Sequence, residues 1–465
     1  MFYPLQRHVA YYHKALLYLL CLLGLAGCAT FSEDGGFNEV QKTTQRYIKQ
    51  TPVWANSNEV KQKSAEQVKA LLSAPLNIEN IVQIALLNNA QLQADFYSLQ
   101  LAEADLVQVG RLPNPSFSML YAKHRGDYTI EQTITMNIMV LFTMGKATAI
   151  EKKRFEATQN NMVLYVLSMA RQTRNAYINA LAARQAVDYL EQVNESAEAT
   201  YQLAKRMHEG GNWNKLEVGR EQGFYMESAL ALSHAENACI QAEEALTALL
   251  GLKHPADFKL PARVMDLPDA EDNLKTVNRA DFSKRLDLEQ TRLQTEALAK
   301  RLGLSKTTRL IDVLEIGPAS VLEGRRGDPV KKGLELRFEL PLFDWGTAKV
   351  KRAEAMYMQR LHQANNQAIL AASEVRAQYS QYTISFNIAQ RYRDEVVPLR
   401  KSMLRESLLQ YNGMLMSPFT LMVAAREQVA SVNDYIEALR VFWLAESDLE
   451  MALVGSPLDS EGSVL

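Results

Sequence analysis

Two long stretches without proline constrain the fold of this 465-residue chain more than any other feature of its sequence. Proline is absent from residues 116–254 and again from residues 342–397. Because proline in a helix interior removes a backbone hydrogen bond and clashes with the preceding turn, its absence permits uninterrupted helices. Both stretches far exceed the helix of about 12 residues that is typical of globular proteins.

A coiled-coil seam runs through the first stretch. Small and apolar residues follow one another in alternating steps of four and three, which is the spacing of a coiled coil. A helix over residues 147–207 would be on the order of 90 Å long at about 1.5 Å per residue. The seam consists of Met162, Val166, Met169, Thr173, Ala176, Ala180, Ala183, Val187, Leu190, Asn194, Ala197, Tyr201 and Ala204.

Alanine is frequent in this seam and in a second run at residues 231–249. Gly210-Gly211-Asn212, between the two runs, is typical of a helix end followed by a turn. The sequence therefore predicts a long antiparallel helical hairpin. Alanine lets helix axes approach closely, so we expect neighbouring helices on both sides of the hairpin.

The chain repeats this plan about 200 residues later, as a duplicated domain would. Leu141-Phe142-Thr143-Met144-Gly145 opens the first hairpin, and Leu342-Phe343-Asp344-Trp345-Gly346 opens a second that turns near Asn412-Gly413. Pro398 predicts a kink or a new helical segment. Asn89-Ala90-Gln91-Leu92 and Arg220-Glu221-Gln222 have their counterparts at Arg285-Leu286-Asp287-Leu288 and Arg426-Glu427-Gln428.

The predicted organisation has five parts. They are a signal peptide (1–27), a linker with little pattern (28–75), a first repeat (76–255), a second repeat (256–455) and a polar tail (456–465). We expect the linker and the tail to be poorly ordered or wrapped on the surface.

Four strands are predicted between the helices. Polar and apolar residues alternate at 133–140 and 334–340, and weaker runs lie at 116–121 and 310–316. Strands of about ten residues can cross an outer membrane when tilted. Four strands cannot close a barrel, and open edges are not tolerated in lipid, so several chains would have to share one barrel.

In such a barrel the polar side chains would line a water-filled lumen and the leucines would face lipid. A small soluble pair of hairpins is the alternative that the alternation leaves open. The predicted lumen residues are Thr133, Thr135, Asn137, Glu335, Arg337 and Glu339.

The first residues have the pattern of an export signal. An apolar run at 15–25, too short for a membrane-spanning helix, leads to Leu25-Ala26-Gly27-Cys28. These residues resemble the lipobox of bacterial lipoproteins. The resemblance implies cleavage before Cys28, lipid attachment at Cys28 and, because Ala29 follows, export to the outer membrane. An ordinary signal peptide with a chance cysteine is the alternative.

Composition argues against several other classes of protein. A formal net charge of −2 gives no indication of nucleic-acid binding. Cys21 lies in the signal and Cys28 would carry lipid, so Cys239 has no partner for a disulfide. The sequence contains no Gly-rich phosphate loop, no zinc-type His and Cys spacing and no nucleophile elbow. We therefore expect no catalytic residue, no metal site and no cofactor.

Several motifs, in their order and repetition, resemble the TolC-like outer-membrane efflux proteins. They are Arg111-Leu112-Pro113-Asn114-Pro115 before a strand, Leu340-Pro341 before the second hairpin, Val397-Pro398-Leu399, and Tyr411-Asn412-Gly413. The resemblance implies a mainly helical fold with a membrane β-barrel portion. Duplicated helical hairpins would form an α-barrel tunnel across the periplasm, and four strands per subunit would contribute to a shared trimeric β-barrel.

The resemblance also implies the protein's partners. The homotrimer would sit in outer-membrane lipid, and its hairpin tips would bind a periplasmic adaptor linked to an inner-membrane pump. The chain would be a passive exit duct of a tripartite efflux system. The duct of a type I protein secretion system and a non-channel, coiled-coil structural lipoprotein are the alternatives; the strands argue against the second.

By the same resemblance, the two hairpin turns face the adaptor and surround the entrance. Apolar closure of the entrance is expected here, and methionines at the second turn leave soft-metal handling open as an alternative. The predicted docking residues are Arg206, Gly210, Gly211, Asn212, Gly413, Met414, Leu415 and Ser417, and the predicted constriction residues are Glu217, Phe419 and Met422.

Overall fold

A computed structural model describes residues 30–268, 285–311, 313–325 and 327–458. The predicted signal peptide, Cys28 and residues 459–465 of the predicted tail lie outside the described residues. The described chain is mainly helical with one four-stranded sheet. Within the described residues, none of the helices is long and apolar enough to cross a membrane.

The helices and strands follow one another in this order: α1 (Phe37–Thr44), α2 (Asn58–Leu72), α3 (Ile78–Asn88), α4 (Ala90–Asp95), α5 (Tyr97–Val109), β1 (Ser116–His124), β2 (Asp127–Asn137), α6 (Met139–Glu209), α7 (Lys215–Leu250), α8 (Leu286–Thr307), β3 (Leu314–Gly324), β4 (Lys331–Phe338), α9 (Thr347–Arg391), α10 (Val397–Asn412) and α11 (Pro418–Val454). A π-helical turn, Tyr392–Val396, joins α9 to α10.

Helices α6 and α7 form the first predicted hairpin, and α6 is 71 residues long. Of the thirteen predicted seam residues of α6, seven are partly exposed in the single chain and six are fully or almost fully buried; the six are Met162, Val166, Thr173, Ala180, Ala197 and Ala204. On α7, by contrast, the seam alanines Ala231, Ala238 and Ala245 are exposed within the single chain.

The second hairpin runs through α9 and α10 and returns through α11. Pro398 lies in the first turn of α10, where its missing N–H is tolerated. The π-helical turn directly before it supplies the interruption that Pro398 predicts. Ser417 caps α11, because its Oγ accepts a hydrogen bond from the Thr420 N–H at 3.2 Å.

The sheet has the strand order β1-β2-β3-β4, and every neighbouring pair is antiparallel. The pairs between β2 and β3 are interrupted between Thr133–Ala319 and Met136–Ile316. Pro318 lies in this interval and has no N–H to donate to the ladder. The Gly317-Pro318 pair thus sits inside a strand, although it is a common turn signal.

Three predicted strand boundaries were wrong. Residues 138–140 are not strand, because the Asn137 Oδ1 accepts the Met139 N–H at 3.0 Å and α6 begins there. The third strand occupies Leu314–Gly324 rather than 310–316, of which residue 312 lies outside the described residues. The fourth strand ends at Phe338, so Glu339 and Leu340 lie beyond it.

The chain divides into two compact units, and each takes segments from both sequence repeats. The first comprises the described residues of Met1–Asn38, Tyr97–Asn160 and Leu288–Gln367, and it contains the whole sheet. The second comprises the described residues of Glu39–Phe96, Asn161–Asp287 and Ala368–Leu465. In the second unit, α3 provides a compact core in which Ile81, Val82, Ile84, Ala85 and Leu86 are fully buried.

The segment predicted to be a linker, 28–75, contains α1 and α2 in its described part. Val40 and Trp54 are buried there. Polar side chains also fix it, since Gln83 Nε2 donates to the Thr51 carbonyl at 3.0 Å. The apolar residues are too widely spaced for a periodic signal, so the sequence did not reveal this packing.

Matching polar clamps hold the ends of the two return helices, α7 and α11, within the second unit. Asn89 Nδ2 donates to the Leu249 carbonyl at 3.0 Å, and Asn88 Nδ2 donates to the Leu250 carbonyl at 2.9 Å. In the second repeat, Arg285 Nη1 donates to the Ala452 carbonyl at 2.6 Å. Both clamps satisfy carbonyls that a helix C-terminus leaves without an intrahelical partner.

Candidate functional site

The sheet has one mostly polar and one mostly apolar face. Residues paired across antiparallel strands point to the same side, and successive residues alternate, so the register sorts the side chains. The polar face includes Ser116, Ser118, Thr129, Glu131, Thr133, Thr135, Asn137, Glu315, Glu335 and Arg337. The apolar face includes Phe117, Met119, Tyr121, Ile130, Ile134, Met136, Ile316, Leu334, Leu336 and Phe338.

The burial of these two faces is the reverse of that in a soluble sheet. Phe117 is 63% exposed and Leu334 is 69% exposed on the apolar face. Thr133 and Thr135 on the polar face are buried. An exposed apolar surface of this kind marks a contact with lipid or with another protein chain.

The structure brings five of the six predicted lumen residues onto the polar face. The sixth, Glu339, lies beyond the end of β4 and outside the sheet, because the strand stops at Phe338. That these residues line a lumen stays a prediction.

Glu315 joins this group and was not among the predicted residues. Its Oε2 accepts hydrogen bonds from Thr135 Oγ1 and from Arg337 Nη1, each at 3.4 Å. Arg337 Nη2 donates to Glu335 Oε1 at 3.2 Å. The alternation around Glu315 is too short, and too close to Gly317-Pro318, to assign its face from the sequence.

The first hairpin tip is a tight helix end at Gly210-Gly211-Asn212. The Asn212 N–H donates to the Met207 carbonyl at 2.9 Å, and the Gly210 N–H donates to the Arg206 carbonyl at 3.0 Å. Gly211 has a φ of +74°, in the left-handed region that favours glycine. The predicted docking residues of this tip therefore lie together in one turn.

The second tip repeats this geometry with different residues. The Leu415 N–H donates to the Gln410 carbonyl at 2.9 Å, and the left-handed position, with a φ of +61°, is Met414. Gly413 has a φ of −78°, so no backbone requirement for glycine exists there. Met414 and Leu415 are 94% and 82% exposed.

The three predicted constriction residues have distinct surroundings. The Glu217 carboxylate accepts the Asn214 N–H at 2.9 Å and completes the capping box that starts α7. The Phe419 ring lies under the Arg220 guanidinium, 4.9 Å from its centroid. Met422 Sδ accepts a hydrogen bond from Thr200 Oγ1 at 3.8 Å.

Near the tips, charged contacts join the return helices α7 and α11. Arg426 Nη2 of α11 forms an ion pair at 2.7 Å with Glu221 Oε2 of α7, which is fully buried. The same guanidinium lies 3.8 Å from the centroid of the Phe224 ring. Arg426 and Glu221 belong to the two copies of the repeated Arg-Glu-Gln motif, whose role cannot be inferred from the sequence alone.

A second charged cluster lies between α6 and α11. Arg171 Nη1 pairs with Asp448 Oδ1 at 2.7 Å, and Arg174 pairs with Glu450. Burial raises the pKa of the neighbouring Glu446 carboxyl from 4.5 to about 7; the Glu450 charge adds to this rise and Arg174 opposes it. Among the described residues, no group of three or more His, Cys, Asp and Glu side chains could hold a metal ion.

The predicted lipid attachment site, Cys28, precedes the described residues, but the chain just after it is firmly held. Ser32 N–H and Ser32 Oγ both donate to Glu103 Oε1, at 2.7 Å and 2.5 Å. Glu103 belongs to α5 and is buried. The Arg111 guanidinium lies 5.5 Å from the centroid of the Phe31 ring.

Comparison with known proteins gives a family for part of the chain and a fold for most of it. The profile of a family described as Outer membrane efflux protein matches residues 81–252. No curated protein matches the sequence.

Three solved structures illustrate the similarity of fold. The channel protein CusC is 16% identical, covers 84% of this chain and 92% of its own, and has a TM-score of 0.66. The outer membrane protein VceC of Vibrio cholerae is 15% identical, with 82% and 97% covered and a TM-score of 0.67. The outer membrane channel MtrE of Neisseria gonorrhoeae is 15% identical, with 82% and 89% covered and a TM-score of 0.67.

These matches agree with the motifs, the duplicated hairpins and the two-faced sheet. The chain has the fold of outer-membrane channel proteins such as CusC and VceC, and its residues 81–252 match the model of the outer membrane efflux protein family.

Proposed function

We propose that the protein is the outer-membrane channel component of a tripartite efflux system. It acts as a passive exit duct that crosses the outer membrane and the periplasm. The observation that carries the proposal is an open sheet with an exposed apolar face, continuous in sequence with two long helical hairpins. A soluble spacer protein has no use for such a face.

A homotrimer with a shared barrel accounts for the edges of the sheet. Strands β1 and β4 each have only one neighbour in the described chain. Lipid cannot satisfy unpaired backbone groups, so these edges need strands from other copies. Three copies would give twelve strands, an even number within the range of closed membrane barrels. The polar face would then line the lumen.

The helical part also offers room for neighbouring subunits. A groove of about 550 Å³ between α6 and α7 is lined by Ala176, Ala238, Ala242 and Ala245 together with polar side chains. Small residues allow close approach of another helix, as the alanine seam predicts. A wall of such helices would form the periplasmic tunnel.

The tips would hold the entrance closed and bind the adaptor. The ion pair between Arg426 and Glu221, and the Arg220–Phe419 contact, tie the two return helices together beside the tips. Opening the entrance would require these contacts to separate. The exposed Met414 and Leu415 offer an apolar surface to an adaptor, while Cys28 would carry the lipid anchor.

Single-channel recording combined with light scattering tests the proposal. Detergent-solubilised protein should contain three chains per particle and should form stepwise conductances in planar bilayers. Phe419→Asp should raise the conductance by hydrating an apolar entrance. Leu216→Asp, the exposed counterpart at the start of α7, is the matched control and should change it less. A stable monomer with full strand content, or trimers that never conduct, would refute the duct.

A further inference from the structure

Basic side chains collect at the end of the sheet that carries its turns. The β1–β2 turn and the β3–β4 connection lie at the same end, because all neighbouring strands are antiparallel. The opposite end leads into the helices. Described cations at the turn end are Lys123, Arg125, Arg325, Lys331 and Lys332.

Some of these cations are already neutralised. Lys331 Nζ pairs with Glu323 Oε2 at 3.0 Å, and Arg325 Nε pairs with Asp127 Oδ1 at 3.5 Å. Lys123 and Lys332 are exposed, and neither forms an ion pair with another residue in the part of the chain that the structure describes. Two unpaired ammonium groups thus remain available to an outside anion.

The strand register separates the free lysines from the paired one. Lys123 lies on the apolar face of β1, together with Phe117, Met119 and Tyr121. Lys332 lies on the same face of the sheet in β4, together with Leu334, Leu336 and Phe338. Lys331 lies on the polar face with Glu335 and Arg337. The free ammonium groups therefore belong to the face that would contact lipid.

We propose that Lys123 and Lys332 bind phosphate groups of lipid headgroups in the outer leaflet of the outer membrane. The proposal rests on the proposed function, in which the sheet crosses that membrane with its turns outside. A lysine stem can lie along apolar surface while its ammonium reaches the headgroup region. Cations that attract an anionic cargo would instead belong on the polar face, where Lys331 is paired with Glu323.

The test measures lipid binding to the full-length, detergent-solubilised protein by native mass spectrometry. The probes are bis-phosphorylated lipid A, the same lipid after dephosphorylation, and inorganic phosphate. The variants are Lys123→Gln/Lys332→Gln, the charge-conserving Lys123→Arg/Lys332→Arg, and Lys331→Gln as the matched control on the other face.

Wild type should bind the phosphorylated lipid roughly tenfold to thirtyfold more tightly than the dephosphorylated lipid, as expected for two basic residues at a membrane surface. The glutamine double variant should lose this preference, whereas the arginine variant and Lys331→Gln should keep it. Equal binding of both lipids, an unchanged preference in the glutamine variant, or equally strong lysine-dependent binding of inorganic phosphate would overturn the proposal.

Conductance in a neutral bilayer, measured on the same preparations, separates the two proposals. Wild-type channels without a phosphate preference would overturn only the lipid site. A failure to form channels would overturn the duct itself.

Discussion

Replacement of Arg285 by methionine tests how the end of the second return helix is held. Arg285 is 1% exposed, and its guanidinium makes two hydrogen bonds with Asp287, at 3.0 Å and 2.8 Å. It also donates to Glu374 Oε2 at 2.9 Å and to the Ala452 carbonyl at 2.6 Å. Burial by itself would lower the pKa of Arg285, but hydrogen bonds and charge from Asp287 and Glu374 raise it overall.

The expected loss of stability follows from the buried charge left behind. Removing one partner of a buried ion pair typically costs about 3–5 kcal/mol. At about 2 °C per kcal/mol, the lower limit for domains of 150–250 residues, Arg285→Met should lower the unfolding midpoint by about 6–10 °C. Arg285→Met/Asp287→Asn also removes the buried charge of Asp287, leaving only the partly exposed Glu374, and should recover more than half of this loss.

Thermal unfolding followed by circular dichroism in detergent measures these midpoints. Arg292→Met on α8, the helix that begins directly after Arg285, is the matched control. Its pair with Glu289 is exposed, and surface pairs contribute only about 0–1 kcal/mol. If Arg285→Met shifted the midpoint no more than Arg292→Met, or if the double variant were no better than the single one, the buried pair would not hold the helix end.

Three further predictions concern the tips, the acidic cluster and the sheet. Gly211→Ala should lower the free energy of unfolding by about 1–2 kcal/mol because residue 211 has a positive φ, and Met414→Gly should raise it by a similar amount. Gly413→Ala should change it little, since Gly413 has a negative φ. Equal effects of the three substitutions on the thermal midpoint would contradict the tip geometry. Because the folded-state pKa of Glu446 is raised to about 7 from 4.5, the native state binds the extra proton, so stability should fall as pH rises through that window. Glu446→Gln should flatten this fall, and an unchanged slope in midpoint against pH would assign it to other groups. In a Cys239→Ala background, cysteines at Glu335 and Arg337 should react with charged thiol reagents in native membranes, and those at Leu334 and Leu336 should not; the reverse pattern would exchange the two faces.

The hairpins could be predicted because the absence of proline and the heptad spacing each extend over many residues of the sequence. The absence of proline and the seam spacing predicted the C-terminal end of α6 to within one helical turn. The strand ends could not be predicted in the same way. A single hydrogen bond from the Met139 N–H to Asn137 starts α6, and it overrides the alternation that continues through Val140.

The candidate site shows the same division between repeated patterns and single contacts. Alternation placed Thr133, Thr135 and Arg337 on one face correctly, since the pleat has a period of two. The left-handed residue of the second tip is Met414 and not the adjacent Gly413, and the sequence does not indicate this because glycine is the usual residue at such a position. The correspondence of Asn89 with Arg285 was visible, but its meaning required the carbonyl partners on α7 and α11.

The two connections from sheet to hairpin differ in length, and we expect them to differ in stiffness as well. Only Ile138 separates β2 from α6, and Asn137 ties this joint by a hydrogen bond. Residues 339–346 separate β4 from α9, and Phe343 among them is fully exposed. Torque on the first hairpin would pass straight into its strand, whereas the second connection can absorb rotation. We therefore expect spin labels at the second tip to report broader distance distributions than labels at the first, and equal widths would show that both joints are equally stiff.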